Sequence, residues 1–113
     1  MKSSCLFPRP TERVVFRAYY CHLVPRCAGC YAITSFDDDI LYIGKSIDLK
    51  RRFLEHINSS KNNTKVSICG LIWFYYYVAD MKCISDIEKS WMKQHTEAHG
   101  QLPTLNILYA PCV

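Results

Sequence analysis

No stretch of the chain approaches the roughly 18 to 20 consecutive apolar residues that a membrane span needs, and Met1 opens no leader pattern. Half of the 113 residues are hydrophobic, so the expectation is a soluble protein inside a cell, in cytoplasm or nucleus, or in a host cell if viral. The length allows a single core and not two full modules. Ordered cysteine arrays are missing as well. Cys5, Cys21, Cys27, Cys30, Cys69, Cys83 and Cys112 are seven, an odd number at irregular spacing, so free thiols are expected. Cys21, His22, Cys27 and Cys30 could be read as a zinc cluster, but a second Cys-x-x-Cys pair is lacking and Cys30 falls inside a predicted strand; buried or incidental cysteines are favoured. Asp37-Asp38-Asp39 is the only clustered run of carboxylates. Net charge is absent from most of the chain: residues 27–113 carry nine Lys/Arg and nine Asp/Glu, and the whole excess of +4 lies in residues 1–26, where Lys2, Arg9, Arg13, Arg17 and Arg26 face Glu12 alone. A polyanion would meet that segment first. A solvated, partly disordered arm is the other reading.

What is present centres on residues 29–56. Cys30 to Phe36 is mostly β-branched, aromatic or small, Asp37-Asp38-Asp39 is a polar break, and Ile40 to Ile43 is apolar again, which predicts a hairpin. A helix follows. At about 100° per residue, Leu49, Phe53 and Ile57 form one apolar stripe, Arg52 and His56 lie together on its near flank, and Arg51 and Glu55 fall on the opposite face. An arginine beside an imidazole and two strand tyrosines suits a phosphodiester, because guanidinium can fork onto phosphate oxygens while phenol and imidazole move protons.

Gly29-Cys30-Tyr31, Tyr42-Ile43-Gly44, Lys45-Ser46, Leu49, Arg52 and His56 together resemble the signature of the GIY-YIG nuclease family. The one departure is Cys30 in place of the usual isoleucine, which touches packing more than chemistry because free cysteine behaves as a small hydrophobe.

The remaining stretches read as follows. Pro8 and Pro10 keep the first ten residues irregular. Thr11-Glu12 could cap a helix reaching His22, although Val14-Val15-Phe16 and Tyr19-Tyr20 also suit a strand; helix is the reading taken. Asn58 to Lys65 is polar and reads as a surface loop. Leu71 to Val78 is the most aromatic run and suits a strand buried on both faces at the centre of the sheet, in preference to a base-stacking platform. A further helix from about Ser85 carries Ile84, Ile87, Trp91 and His95 on one face, with Glu88 on the flank. Ser85-x-x-Glu88 also has the form of a capping box. Gly100 to Pro103 ends that helix, and Ile107 to Tyr109 could form a short edge strand.

Together these elements and the resemblance predict an α+β protein, an α/β sandwich with a small, mainly antiparallel three-stranded sheet flanked by helices. Residues 1–26 would be a basic arm and residues 27–113 the nuclease domain. The resemblance implies a metal-dependent DNA endonuclease. In it Tyr31 is the favoured general base, assisted by His56 and by Tyr42. Arg52 stabilises phosphate charge, and Glu88 holds one Mg²⁺ or Mn²⁺. Lys45, Ser46, Arg51 and Asn106 are candidate substrate-binding residues, Asn106 also supporting the active-site end of the sheet. Nearby cations would have to lower the Tyr31 pKa from its ordinary value of about 10. Asp37-Asp38-Asp39 reads as a solvated turn and not as a second metal site. The competing reading is a catalytically silent nucleic-acid-binding module that acts with a partner. No RING-like array, second nuclease domain or C-terminal DNA-reading module is expected, so the enzyme reading is a nuclease of low intrinsic specificity or one directed by a homodimer or a protein partner.

Overall fold

The computed structural model describes residues 2–62 and 72–108, so the expectations for Lys65, Cys69, Leu71, Tyr109 and Cys112 fall outside the described residues. Strands β1 (Glu12–Val15), β2 (Gly29–Thr34), β3 (Ile40–Ser46) and β4 (Trp73–Val78) form one sheet in the order β1-β4-β2-β3. Every pairing is antiparallel. Helices α1 (Leu49–Asn62), α2 (Ile84–His99) and the short α3 (Thr104–Leu108) complete the α+β architecture.

The sheet has one strand more than expected. In place of a helix from Thr11 to His22 there is β1 followed by a 3-10 segment at Ala18–Leu23. The free edge of β4 decides the matter: Thr11 N–H donates to the Tyr76 carbonyl at 3.1 Å and Phe16 N–H to the Ile72 carbonyl at 2.8 Å, bracketing the β1 ladder. Pairing with a strand that lacks a partner outweighs a weak helical propensity in a Val-Val-Phe run.

Alternation along the strands then builds two cores. On one face Val14, Phe16, Tyr31, Ile33, Phe74 and Tyr76 meet Leu49, Phe53 and Ile57, the stripe expected of α1. On the other face Cys30, Ala32 and Ile43 meet Ile84 and Trp91 of α2. Trp91, wholly buried, donates its indole N–H to the Pro8 carbonyl at 2.9 Å, and Gln94 bonds both polar backbone groups of Phe7. The proline-rich first ten residues are thereby strapped across α2, with Leu6 only 2% exposed.

β4 is central, as its composition suggested, but it is not buried equally on both faces. Phe74 and Tyr76 are buried, whereas Trp73, Tyr75 and Tyr77 are half-buried, because α2 packs on β3 and β2. Three further local expectations are corrected. Residues 58–62 continue α1 and are not loop, Ile107 lies in α3 and not in a strand, and the N-cap of α2 is Cys83 with no side-chain cap, so the Ser85-x-x-Glu88 box does not form. Gly100 ends α2 with a left-handed φ of 77°, its N–H bonding the Thr96 carbonyl.

Candidate active site

Two glycines let the strands and their cargo approach. A Cβ on Gly29 would stand 2.5 Å from the Tyr77 carbonyl oxygen, and one on Gly44 would stand 2.4 Å from the Tyr31 hydroxyl. Gly44 is the β3 partner of Tyr31, and its missing side chain is the space the phenol fills. Below that phenol the Phe74 ring stacks at a centroid separation of 5.0 Å, and Tyr42 stacks at 6.0 Å from the other motif strand.

The Tyr31 oxygen sits between the two α1 side chains that helical geometry put on one flank. It lies 2.6 Å from His56 Nε2 and accepts from Arg52 Nε–H at 3.2 Å. Tyr42 closes the group edge-on to His56 at 4.9 Å. Burial, with Arg52 as a second cause, pushes the His56 imidazole down to about 3. The ring is therefore neutral near pH 7, and in the tautomer protonated on Nδ1 its Nε2 accepts from the Tyr31 hydroxyl. Burial also raises the Tyr31 pKa well above its ordinary value, and Tyr42 adds to the rise while Arg52 opposes it. The expected lowering is thus corrected: around a phenol that is 0% exposed, desolvation of the phenolate outweighs one guanidinium.

Glu88 belongs to a second group, built on the other face of the sheet from Lys45, Ser85 and Cys30. Lys45 Nζ donates to Ser85 Oγ at 2.7 Å, and Cys30 Sγ donates to the Ile84 carbonyl at 3.1 Å. Burial raises the Glu88 carboxyl, with Lys45 and then Lys89 pulling it back. Among the described residues its carboxylate makes no hydrogen bond or ion pair, and no three His, Cys, Asp or Glu side chains converge on a point. A lone, half-buried carboxylate without a protein cation on it fits a hard divalent ion that keeps several waters and takes its other ligands from a phosphate. It does not fit a closed protein cage. Cys21, Cys27 and Cys30 are free thiols, and among the described residues they and His22 do not gather into a group of three or more such ligands.

The other candidates are mostly structural in this arrangement. Ser46 Oγ both donates to the Asp48 carbonyl and accepts from the Asp48 N–H, shaping the entry to α1. Asn106 gives its oxygen to Ile43 N–H at 2.8 Å and its amide to the Ile43 carbonyl at 2.9 Å. Both ends of its side chain thereby bond the edge strand β3. Arg51 is exposed on the outer face, 3.6 Å from Glu55. Linear spacing missed Ser85 as the Lys45 partner and Glu55, 3.8 Å from Arg52, as a brace for that guanidinium. The first spans 40 positions, which only the fold can close. The second carried a signal in its i,i+3 spacing.

The model of the GIY-YIG catalytic domain matches residues 27–101. Two curated relatives are similar to the chain. The UvrABC system protein C of Finegoldia magna is 36% identical over 62 residues, which is 53% of this chain and 10% of the relative. The UvrABC system protein C of Alkaliphilus oremlandii is 33% identical over 60 residues, which is 50% of this chain and 10% of the relative. The matched part therefore spans about a tenth of the length of either relative.

Proposed function

Because the chain belongs to the GIY-YIG nuclease family, we propose that it is a metal-dependent DNA endonuclease that hydrolyses phosphodiester bonds with Tyr31 as general base and one divalent ion. The observation that carries this reading is the Tyr31 hydroxyl held between the His56 acceptor at 2.6 Å and the Arg52 donor at 3.2 Å. Burial keeps that phenol protonated in the resting site. In this reading the phosphate's negative charge beside Arg52 offsets the second cause that holds His56 down, and Tyr31 hands its proton to His56 Nε2 as it takes that of the attacking water, so that no free phenolate forms. His56 thus acts as the proton acceptor behind the base. Arg52 is 38% exposed along its side chain, so its outer nitrogens are available to the phosphate as its Nε holds Tyr31. In this reading half-buried Tyr42, beside Tyr31 and His56, contacts the phosphate region.

Glu88 would hold the one Mg²⁺ or Mn²⁺, which when bound supplies Lewis-acid stabilisation of charge on the leaving oxygen. Exposed Lys45, tethered to Ser85 one turn before Glu88, adds a cation on that side of the phosphate. Asn106 and Ser46 support the strand and the helix entry that carry these groups. DNA is the substrate of this reading, with specificity coming from a second copy or a protein partner.

The test is nicking of supercoiled plasmid by the purified chain with Mg²⁺ or Mn²⁺, beside Arg52→Ala and Glu88→Ala proteins shown to be folded. Nicking by the parent alone, stopped by chelation, is the expected result; each variant should lose about a hundredfold or more, of the order seen when one charge-stabilising group is removed. Equal inertness of all three on duplex, branched and single-stranded DNA would reject the reading.

A further inference from the structure

We propose that the β1/β4 half of the sheet face opposite Tyr31 binds one unpaired nucleotide of a nucleic-acid strand, with the Arg13 guanidinium as its stacking plane and Arg9 as its phosphate contact. The proposal rests on DNA being the partner and goes beyond the hydrolytic site.

Four observations converge there. First, α2 packs on β3 and β2, which leaves Trp73 and Tyr75 of β4 half-buried. Strand geometry sets these two rings on one face about 7 Å apart, and the same face of β1 presents Arg13, the register partner of Tyr75. Second, the Arg13 guanidinium lies over the Trp73 ring at 3.8 Å and donates to the Tyr75 hydroxyl at 3.3 Å. A flexible cation is thus positioned over the indole and tied to the neighbouring phenol before any ligand arrives, and a planar guanidinium stacks on bases. Third, a cavity of about 630 Å³ opens beside Arg13, with Arg9, Thr11, Glu12, Asp38 and Tyr75 in its lining. Its size is that of a small-ligand site, and its hydroxyls and two carboxylates supply acceptors for the amino groups of a base edge. Fourth, the two arginines belong to the segment that carries the chain's entire formal excess of positive charge. An apolar peptide would find few apolar walls here, and a duplex could not place a stacked base against Arg13 without unpairing it. An unpaired nucleotide satisfies both the plane and the charge.

The general base Tyr31 and this site sit on opposite faces of the sheet, whereas Glu88 lies on the same α2 face farther toward β3. Tyr31 and Phe74 point to the α1 side, and Tyr75 to the α2 side. A strand bound by Arg13 would hold the chain on DNA next to a single-stranded or frayed region while the duplex meets the Tyr31 side.

The experiment is anisotropy of a labelled single-stranded deoxyoligonucleotide titrated with the full chain in chelator, for the parent and for Arg9→Ala, Arg13→Ala, Arg13→Lys and Tyr75→Ala. Thermal melts establish that each variant is folded. The expected result is a loss of about tenfold or more for Arg13→Ala and Tyr75→Ala, in the range of one stacked base. Arg13→Lys should fail to rescue because it keeps the charge and loses the plane. Arg9→Ala, at an exposed position, should lower the salt slope of binding by about one ion. Single-strand affinities for all four variants within twofold of the parent would overturn the proposal, as would rescue by Arg13→Lys to parental affinity. Plasmid nicking measured on the same proteins separates the two readings. Inert proteins that still differ in single-strand binding sink the catalytic assignment and keep this one.

Discussion

Gly44 has no side chain because Tyr31 occupies the place of one. A Cβ there would come within 2.5 Å of both the hydroxyl and Cζ of that phenol, and the phenol cannot retreat with Phe74 stacked 5.0 Å behind it. Gly44→Ala should therefore cost about 1–3 kcal/mol of stability from overpacking. Because a displacement near 1 Å misaligns reacting groups, it should also cut plasmid nicking by about a hundredfold. Urea unfolding and nicking on the same protein check both. His56 gives a pH prediction with a definite sign. Its pKa falls from 6.5 to about 3 through burial first and Arg52 second. Above pH 6.5 neither folded nor unfolded imidazole is charged, and His56 has no pH-dependent effect. Between pH 6.5 and 3 the unfolded chain takes up a proton that the folded chain refuses, so stability falls as pH falls. At pH 4 the loss is at most about 3 kcal/mol. His56→Gln keeps an acceptor for the Tyr31 hydroxyl and removes the titration, so its stability between pH 7 and 4 should fall less than that of the parent. Buried His95, also shifted down, titrates alike in both proteins and cancels from the difference.

At the level of elements, Asn106 does the work of a fifth strand for one residue. β3 is an edge strand, and the side-chain amide of Asn106 pairs with both the N–H and the carbonyl of Ile43, between Tyr42 and Gly44. Asn106→Leu leaves both groups without that partner, and about 1–3 kcal/mol should be lost in denaturant unfolding. Asn106→Asp keeps an acceptor for Ile43 N–H and should lose less at neutral pH. This contact also marks the limit of what the sequence disclosed. The hairpin β2/β3 and helix α1 were legible because their periods of 2 and 3.6 are set locally: Leu49, Phe53 and Ile57 line one stripe, and Arg52 and His56 share one flank. Asn106 was legible only as a supporting residue, since its two bonds join positions 63 apart. β1 was misread as helix because four residues of mixed pattern carry too little signal, and the edge of β4 decided their conformation. The Tyr31 pKa was misjudged in direction because neighbouring cations can be counted in a sequence, whereas burial of the phenol depends on the whole sheet.

For the molecule as a whole, the unit that folds exceeds the stretch that the family model matches. Residues 27–101 contain the motif hairpin, α1, β4 and α2, but not the pieces that close either core. Phe16, with no exposed surface, stands edge-on to Phe53 at 5.5 Å and stacked on Phe74 at 6.4 Å, directly beneath the ring on which Tyr31 rests. Val14 and Val24 complete that face, and Leu6 fills the other beside Trp91. Removing residues 1–26 would uncover these surfaces and strip β4 of its β1 partner, leaving an aromatic strand as an open edge. A chain beginning at residue 27 should therefore be recovered unfolded or aggregated, whereas a solvated arm could be removed without harm. Phe16→Ala gives the graded version: a cavity at the meeting point of three rings should cost about 3–5 kcal/mol in urea unfolding. If the protein retains a fold, plasmid nicking should fall with it, because the floor under Tyr31 is no longer fixed. A truncated chain with a cooperative melt near that of the parent would show instead that the first 26 residues only lie against a core that is complete without them.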